Sequence, residues 1–219
     1  MRIVILGTGT DVGKTYVTAA LARGLAERTS VLALKPIESG TAAGGTGDAG
    51  ALANAAGHAP ALSPWRFERP VSPHLGARER GTVIDVREVA NWVALQARGA
   101  QRELVLIESA GGALSPLGPG LTNLDLALAL EPTLWLLVAP DSLGVLHDVT
   151  STLRAMPRRP DAVLLSGARA PDESSGSNAG ELVSLGITPV LEVIGRGQAR
   201  CPLTVDWILD QQRQRSGAA

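Results

Sequence analysis

The residues able to do chemistry lie at or just after apolar runs. The first group is Gly7-Thr8-Gly9-Thr10-Asp11-Val12-Gly13-Lys14-Thr15, between the apolar run Arg2–Leu6 and an alanine-rich segment with helical periodicity. A strand, a glycine-containing turn and a helix opening with Lys-Thr aim several backbone N–H groups and a positive helix end at one point, which suits phosphate oxygens. Lys14 then reaches the β and γ phosphates, and the Thr15 hydroxyl ligates Mg²⁺. The pattern is not literal: G-x-x-x-x-G-K-S/T expects glycine where Thr8 stands, with Gly7 and Gly9 on either side. A glycine-rich turn with an incidental lysine is the plainer reading, but the strand and helix patterns flanking it favour phosphate.

Further groups follow the later apolar runs. Val31–Leu34 ends at Lys35-Pro36-Ile37-Glu38-Ser39-Gly40, polar residues at the carboxyl end of an expected parallel strand, where open α/β sheets gather ligands. Asp48 precedes the alanine-rich helix Ala49–Ala56 and suits an N-cap or a metal-facing carboxylate. Leu104–Ile107 ends at Glu108-Ser109-Ala110-Gly111-Gly112, a carboxylate at a strand end followed by glycines, as in a Walker B metal site. The fourth run, Leu134–Ala139, leads through Pro140-Asp141-Ser142-Leu143-Gly144 into a helix from Val145 to Met156, whose N-terminus can take an anion on backbone N–H groups.

These groups need a sheet to position them. Val17, Ala20, Leu21, Gly24 and Leu25 form a helical stripe after the loop, and Asp85–Arg98 carries another with Val86, Val89, Ala90, Val93 and Ala97. With Ala162–Leu165 and Pro189–Val193, the strand runs alternate with helices, which predicts a single three-layer α/β/α domain over residues 1–219 with a mostly parallel central sheet. Ser63–Leu75 and Ala170–Gly180 read as loops, Thr41–Gly47 as a mobile glycine-rich segment, Leu203–Gln212 as the closing helix and 213–219 as a frayed tail.

Composition bounds the function. With 20 basic and 21 acidic residues, net charge −1, nothing draws the chain toward nucleic acid or an anionic membrane, and aromatics at 3% provide no base-stacking platform. The single cysteine, Cys201, has no disulfide partner and no metal-ligand spacing, which predicts a reduced, cytoplasmic setting. No leader pattern or membrane-length apolar run is read, so a soluble, unprocessed protein is expected.

Taken together, the loop Gly7–Thr15, Lys35-Pro36-Ile37-Glu38-Ser39-Gly40, Gly47-Asp48, Ser72-Pro73-His74, Glu108–Gly112 with Pro116-Leu117, and Leu143-Gly144 resemble the dethiobiotin synthetase family of P-loop proteins over nearly the whole chain. The resemblance implies an ATP- and Mg²⁺-dependent ligase of biotin biosynthesis acting on 7,8-diaminononanoate and CO₂ through a carbamate and a carbamic-phosphoric anhydride. By position, it implies that Thr10, Lys14, Lys35 and Ser39 are catalytic and that Gly9–Tyr16 and Ser166 hold nucleotide. It also implies that Thr15, Asp48 and Glu108 bind Mg²⁺. Thr10, Lys35, Ser39, Ser72, Pro73, Gly111 and Gly112 would line the substrate site. The segment Leu143, Gly144, Val145, Leu146 and His147 would take the substrate carboxylate from the other subunit of a homodimer.

Three positions depart from the family pattern. Ser109 stands where glycine is usual, His147-Asp148 replaces the common Asn-His pair, and Ser166 replaces an asparagine that reads adenine. Serine has no amide for a base edge, so relaxed nucleotide choice is expected. Competing readings are a cobyrinate-type ligase, for which Cys201 lacks the setting of a glutamine-hydrolysing nucleophile, and a ParA/MinD-like nucleotide switch, for which Leu203–Arg215 is the one candidate amphipathic helix. A diverged paralogue with another substrate is a further alternative, motivated by the three departures.

Overall fold

A computed structural model describes residues 1–217. Its core is a six-stranded parallel sheet in the order β10-β9-β8-β1-β5-β2. These strands are β1 (Arg2–Gly7), β2 (Val31–Leu34), β5 (Leu104–Glu108), β8 (Leu134–Asp141), β9 (Ala162–Gly167) and β10 (Val190–Ile194). All six coincide with the apolar runs: strands covered on both faces read as continuous apolar sequence, and only the half-buried edge strand β10 is broken, by Glu192. The chain winds from β1 out to β2, returns to β5 and then crosses to β8. The winding direction therefore reverses beside β1, where such sheets bind ligands.

Strand alternation sorts the side chains into two cores. Ile3, Ile5, Leu104, Leu106, Leu136 and Leu164 pack against α1 (Lys14–Ala26), α2 (Gly47–Ala56) and α8 (Pro202–Ser216). Val4, Leu6, Val105, Ile107, Leu137 and Leu165 pack against α4 (Val86–Ala100), α5 (Asn123–Ala129), α6 (Val145–Ala155) and α7 (Asn178–Ser184). The same parity decides the site: Lys35 and Glu108 continue the register of Ala33 and Leu106, and Ser166 that of Leu164, so all three project toward α1. Helix α1 is held by Val17, Ala20, Leu21 and Leu25, all 0–1% exposed, and each fully buried leucine contributes about 1.5–3 kcal/mol. Gly24 lets α8 approach, since a Cβ there would lie 2.8 Å from Val205 Cγ2.

Several short elements depart from the sequence expectation. Ser63–Leu75 is not one loop: β4 (Trp65–Phe67) pairs in parallel with β3 (Ile37–Ser39), and α3 (Pro73–Glu79) begins directly after Ser72. Three residues are too few to show alternation, and Pro73 sits in the first turn, where a missing N–H costs nothing. Helix α5 is opened by a Thr122/Asp125 capping box, and β6 (Pro116–Gly118) pairs with β7 (Leu121–Thr122) just before it. Helix α7 begins inside the stretch expected to be loop. The closing helix continues to Ser216 through the expected tail, of which residues 218 and 219 lie outside the described part. Helix α4 is capped by Asp85, which accepts from the N–H groups of Arg87 and Glu88. Among the described residues no helix is long and apolar enough to cross a membrane.

Candidate active site

The turn after β1 wraps into α1 through Gly13, whose φ of +91° is left-handed. A Cβ on Gly13 would lie 2.1 Å from Ser166 Oγ, so glycine lets the loop rest on the end of β9. Above this loop opens a cleft of about 660 Å³ at the carboxyl ends of the central strands. Thr10, Asp11, Val12, Gly13, Lys14, Thr15 and Tyr16 line one side, Lys35, Ser39, Asp48, Ser72 and Pro73 the other, with Glu108, Gly111 and Ser166 between them. Gly9 and Gly112 lie behind this wall against each other: a Cβ on Gly112 would lie 3.0 Å from Gly9 Cα.

Two lysines and two carboxylates form the charged centre. Lys14 Nζ folds back to donate to the Gly9 carbonyl at 2.8 Å. Burial, then repulsion from Lys35, pulls the Lys14 ammonium down to about 8. Lys35, itself buried, donates to Glu108 Oε1 and, at 3.2 Å, to the Ser109 carbonyl, and lies 3.3 Å from Asp48 Oδ2. Burial opposes its charge, but Glu108 and Asp48 outweigh that cost and hold Lys35 above the usual lysine range. Thr15 Oγ1 sits 2.8 Å from Glu108 Oε1 and 3.1 Å from Asp48 Oδ2.

The same three oxygens fit a hard cation. Glu108 is fully buried: its Oε1 lies against the Thr15 hydroxyl, while its Oε2 has no hydrogen-bond partner, so the fold keeps a desolvated, unpaired carboxylate oxygen on this residue. Mg²⁺ takes one or two carboxylates and completes its shell with phosphate oxygens and water. No cluster of three or more His, Cys, Asp or Glu side chains suited to a metal occurs among the described residues, so the protein alone offers only part of such a shell.

Asp48 is placed differently from the N-cap expectation. Helix α2 starts two residues earlier than expected, at Gly47, and the Asp48 N–H donates to Glu38 Oε1. Glu38, Ser115, Arg169 and Arg196 also line the cleft and were not singled out from sequence. Glu38 stands inside the Lys35–Gly40 group, so its position was on view while its partners were not. Tyr16 Oη lies 2.6 Å from the Gly195 carbonyl and 2.7 Å from that of Gln198, fastening the β10–α8 turn to the helix that carries Lys14 and Thr15.

The segment Leu143–His147 does not line the cleft of its own chain. Leu143, Gly144 and His147 are exposed at the start of α6. Asp172 Oδ2 accepts from the Leu143 N–H at 2.8 Å, and hydrogen bonds from Ser174 first and then Leu143 hold the Asp172 carboxyl below its usual range. The Val145 N–H bonds the Ser142 carbonyl at 3.2 Å. Asp148 lies in the first turn of α6, is exposed, and bonds through its N–H to Gly144.

Comparison with known proteins places this geometry. Among solved structures, chloroplast FtsY from Physcomitrella patens superposes with a TM-score of 0.57 at 19% identity, covering 96% of this chain and 64% of that one. FtsY from Elizabethkingia anophelis in complex with GDP gives 0.53 at 15% identity, covering 88% and 55%. This chain spans less than two thirds of either, and at such identity the likeness is one of fold alone. Residues 1–197 match a family described as an AAA domain. The ATP-dependent dethiobiotin synthetase of Saccharopolyspora erythraea is 36% identical over 204 residues, 91% of this chain and 89% of that protein. Its namesake in a Caulobacter species is 38% identical over 182 residues, 78% of each chain, and that of Streptomyces coelicolor is 36% identical over 202 residues, 89% and 84%. With a matching P-loop fold, two lysines facing one cleft and similarity along almost its full length, the chain belongs to the dethiobiotin synthetase family.

Proposed function

We propose that the chain is an ATP- and Mg²⁺-dependent dethiobiotin synthetase that closes the ureido ring of 7,8-diaminononanoate with CO₂, working as a cytoplasmic homodimer. The observation that carries this reading is the convergence of Lys14 and Lys35 on one cleft beside Thr15, Asp48 and Glu108. That arrangement suits phosphoryl transfer, in which positioning and charge stabilisation do most of the work.

In this reaction one amine of the substrate takes up CO₂ and loses a proton, giving a carbamate. A carbamate oxygen accepts the γ-phosphoryl group of ATP and ADP departs. The second amine then attacks the carbamoyl carbon, closing the ring and expelling phosphate. Lys14 binds the β and γ phosphates, and Lys35, charged and buried, stabilises the carbamate and the transferring group. Thr10 and Ser39 hydrogen-bond to carbamate or γ-phosphate, Ser72 and Pro73 border the substrate, and the backbone at Gly111 closes the wall, with Gly112 behind it. Thr15, Asp48 and Glu108 would hold Mg²⁺, which would neutralise part of the triphosphate charge. The remote carboxylate docks at Leu143–His147 of the second subunit; with the Leu143 N–H bonded to Asp172, the N–H groups of Leu146 and His147 are the better donors.

Phosphate release from ATP tests the assignment. It should require both diaminononanoate and bicarbonate. Release independent of either compound, or none with both present, contradicts it.

A further inference from the structure

Asp48 stands apart from its neighbours in the charged centre. Thr15 is on α1 and Glu108 on β5, whereas Asp48 stands in the first turn of α2, directly after the glycine-containing stretch Thr41–Gly47, and its side chain is 44% exposed. Helix α2 has no capping side chain from its own N-cap residue, Thr46. The chain supplies the missing acceptor from elsewhere. Glu38 on β3, 4% exposed, receives the Asp48 N–H on Oε1 and Arg66 Nε on Oε2 at 3.3 Å. Arg66, its cross-strand partner on β4, also donates through Nη2 to the Gly45 carbonyl at 2.7 Å. Gly47, at φ +54°, brings the backbone so close that a Cβ there would lie 2.2 Å from Glu38 Oε1.

Both oxygens of Glu38 are thus engaged, one on the backbone of the residue proposed to hold metal and one on a cation. A carboxylate so occupied is a poor metal ligand or general base, but it suits the positive end of α2. The geometry points to Glu38, paired with Arg66, as a positioning residue that fixes Asp48 for Mg²⁺-nucleotide. The inference rests on the proposed Mg²⁺–ATP reading of the cleft. Outer groups that orient a metal ligand commonly govern metal affinity.

The test measures ATP affinity of the full chain across a Mg²⁺ titration and in EDTA, without diaminononanoate, with thermal unfolding recorded for each variant. Glu38→Ala should raise the Mg²⁺ concentration for half-maximal tightening about tenfold or more, while affinity in EDTA moves by less than about twofold. Glu38→Gln keeps an acceptor for the Asp48 N–H and should restore part of the loss. In an Asp48→Asn background, Glu38→Ala should add nothing, because its effect runs through Asp48. If Glu38→Ala does not fold, Arg66→Met is judged in the same way, and Glu38→Gln by a smaller rise in the Mg²⁺ requirement with affinity in EDTA unchanged. An unchanged Mg²⁺ requirement, equal weakening with and without Mg²⁺, or additive effects of the Glu38 and Asp48 variants would overturn the inference. ATP binding by the unsubstituted chain that ignores Mg²⁺ would instead sink the metal reading beneath it.

Discussion

Lys14 carries a pH signature. The fold pulls its ammonium from 10.5 to about 8, chiefly by burial and then through Lys35. Below about pH 8 both folded and unfolded chains hold the proton, so the penalty for burying the charge is fully present there. As pH rises from about 8 toward 10.5 the folded chain sheds the proton first, and the penalty is relieved. Bound phosphate reverses the preference, because it favours the ammonium. ATP affinity should therefore fall as pH rises above 8, by up to about tenfold per pH unit, in calorimetric titrations. Lys14→Met should bind ATP weakly with that slope gone, and a flat profile for the unsubstituted chain would count against the role of Lys14. Ser166 makes a second residue-scale prediction. Its hydroxyl rests against Gly13 and it has no amide to pair with a base edge, so CTP and GTP should support turnover within about tenfold of ATP. Strict dependence on ATP would show that another group reads the base.

At the scale of elements, legibility followed the length and the burial of each segment. Five of the six sheet strands were readable because parallel strands buried on both faces leave long apolar runs, while half-buried β10 showed only an apolar stretch broken by Glu192. Alternation within them then carried Lys35, Glu108 and Ser166 to the α1 side. The short pieces were not readable in the same way. Strands β3 and β4 have three residues each and pair with each other, not with the main sheet, so neither shows a period. Helix α5, opened by Thr122 and Asp125, was likewise not among the expected elements. The role of Glu38 depends on groups ten and 28 positions away, a relation that only folding creates. The lysines, Thr15, Asp48 and Glu108 were legible because each sits in a motif or at a strand end where chemistry concentrates.

For the whole molecule, one chain is an incomplete site under the proposed function. The cleft holds the groups for ATP and the carbamate, while Leu143–His147 lies outside it with Leu143 83% exposed. If each site takes that segment from the second subunit, a Lys35→Met chain and a Gly144→Asp chain, each inactive alone, should regain up to about a quarter of full activity when co-assembled, since half of a random isologous population carries one intact site. Activity that never rises above the sum of the separate variants would place both halves in one chain. The most direct test of the central claim supplies ¹³C-bicarbonate, ATP, Mg²⁺ and diaminononanoate to the chain and follows the product by mass spectrometry alongside phosphate. The account predicts dethiobiotin carrying the ¹³C label in its ureido ring, with phosphate released in equal amount. Phosphate released without labelled ring, or no turnover of diaminononanoate at all, would contradict it.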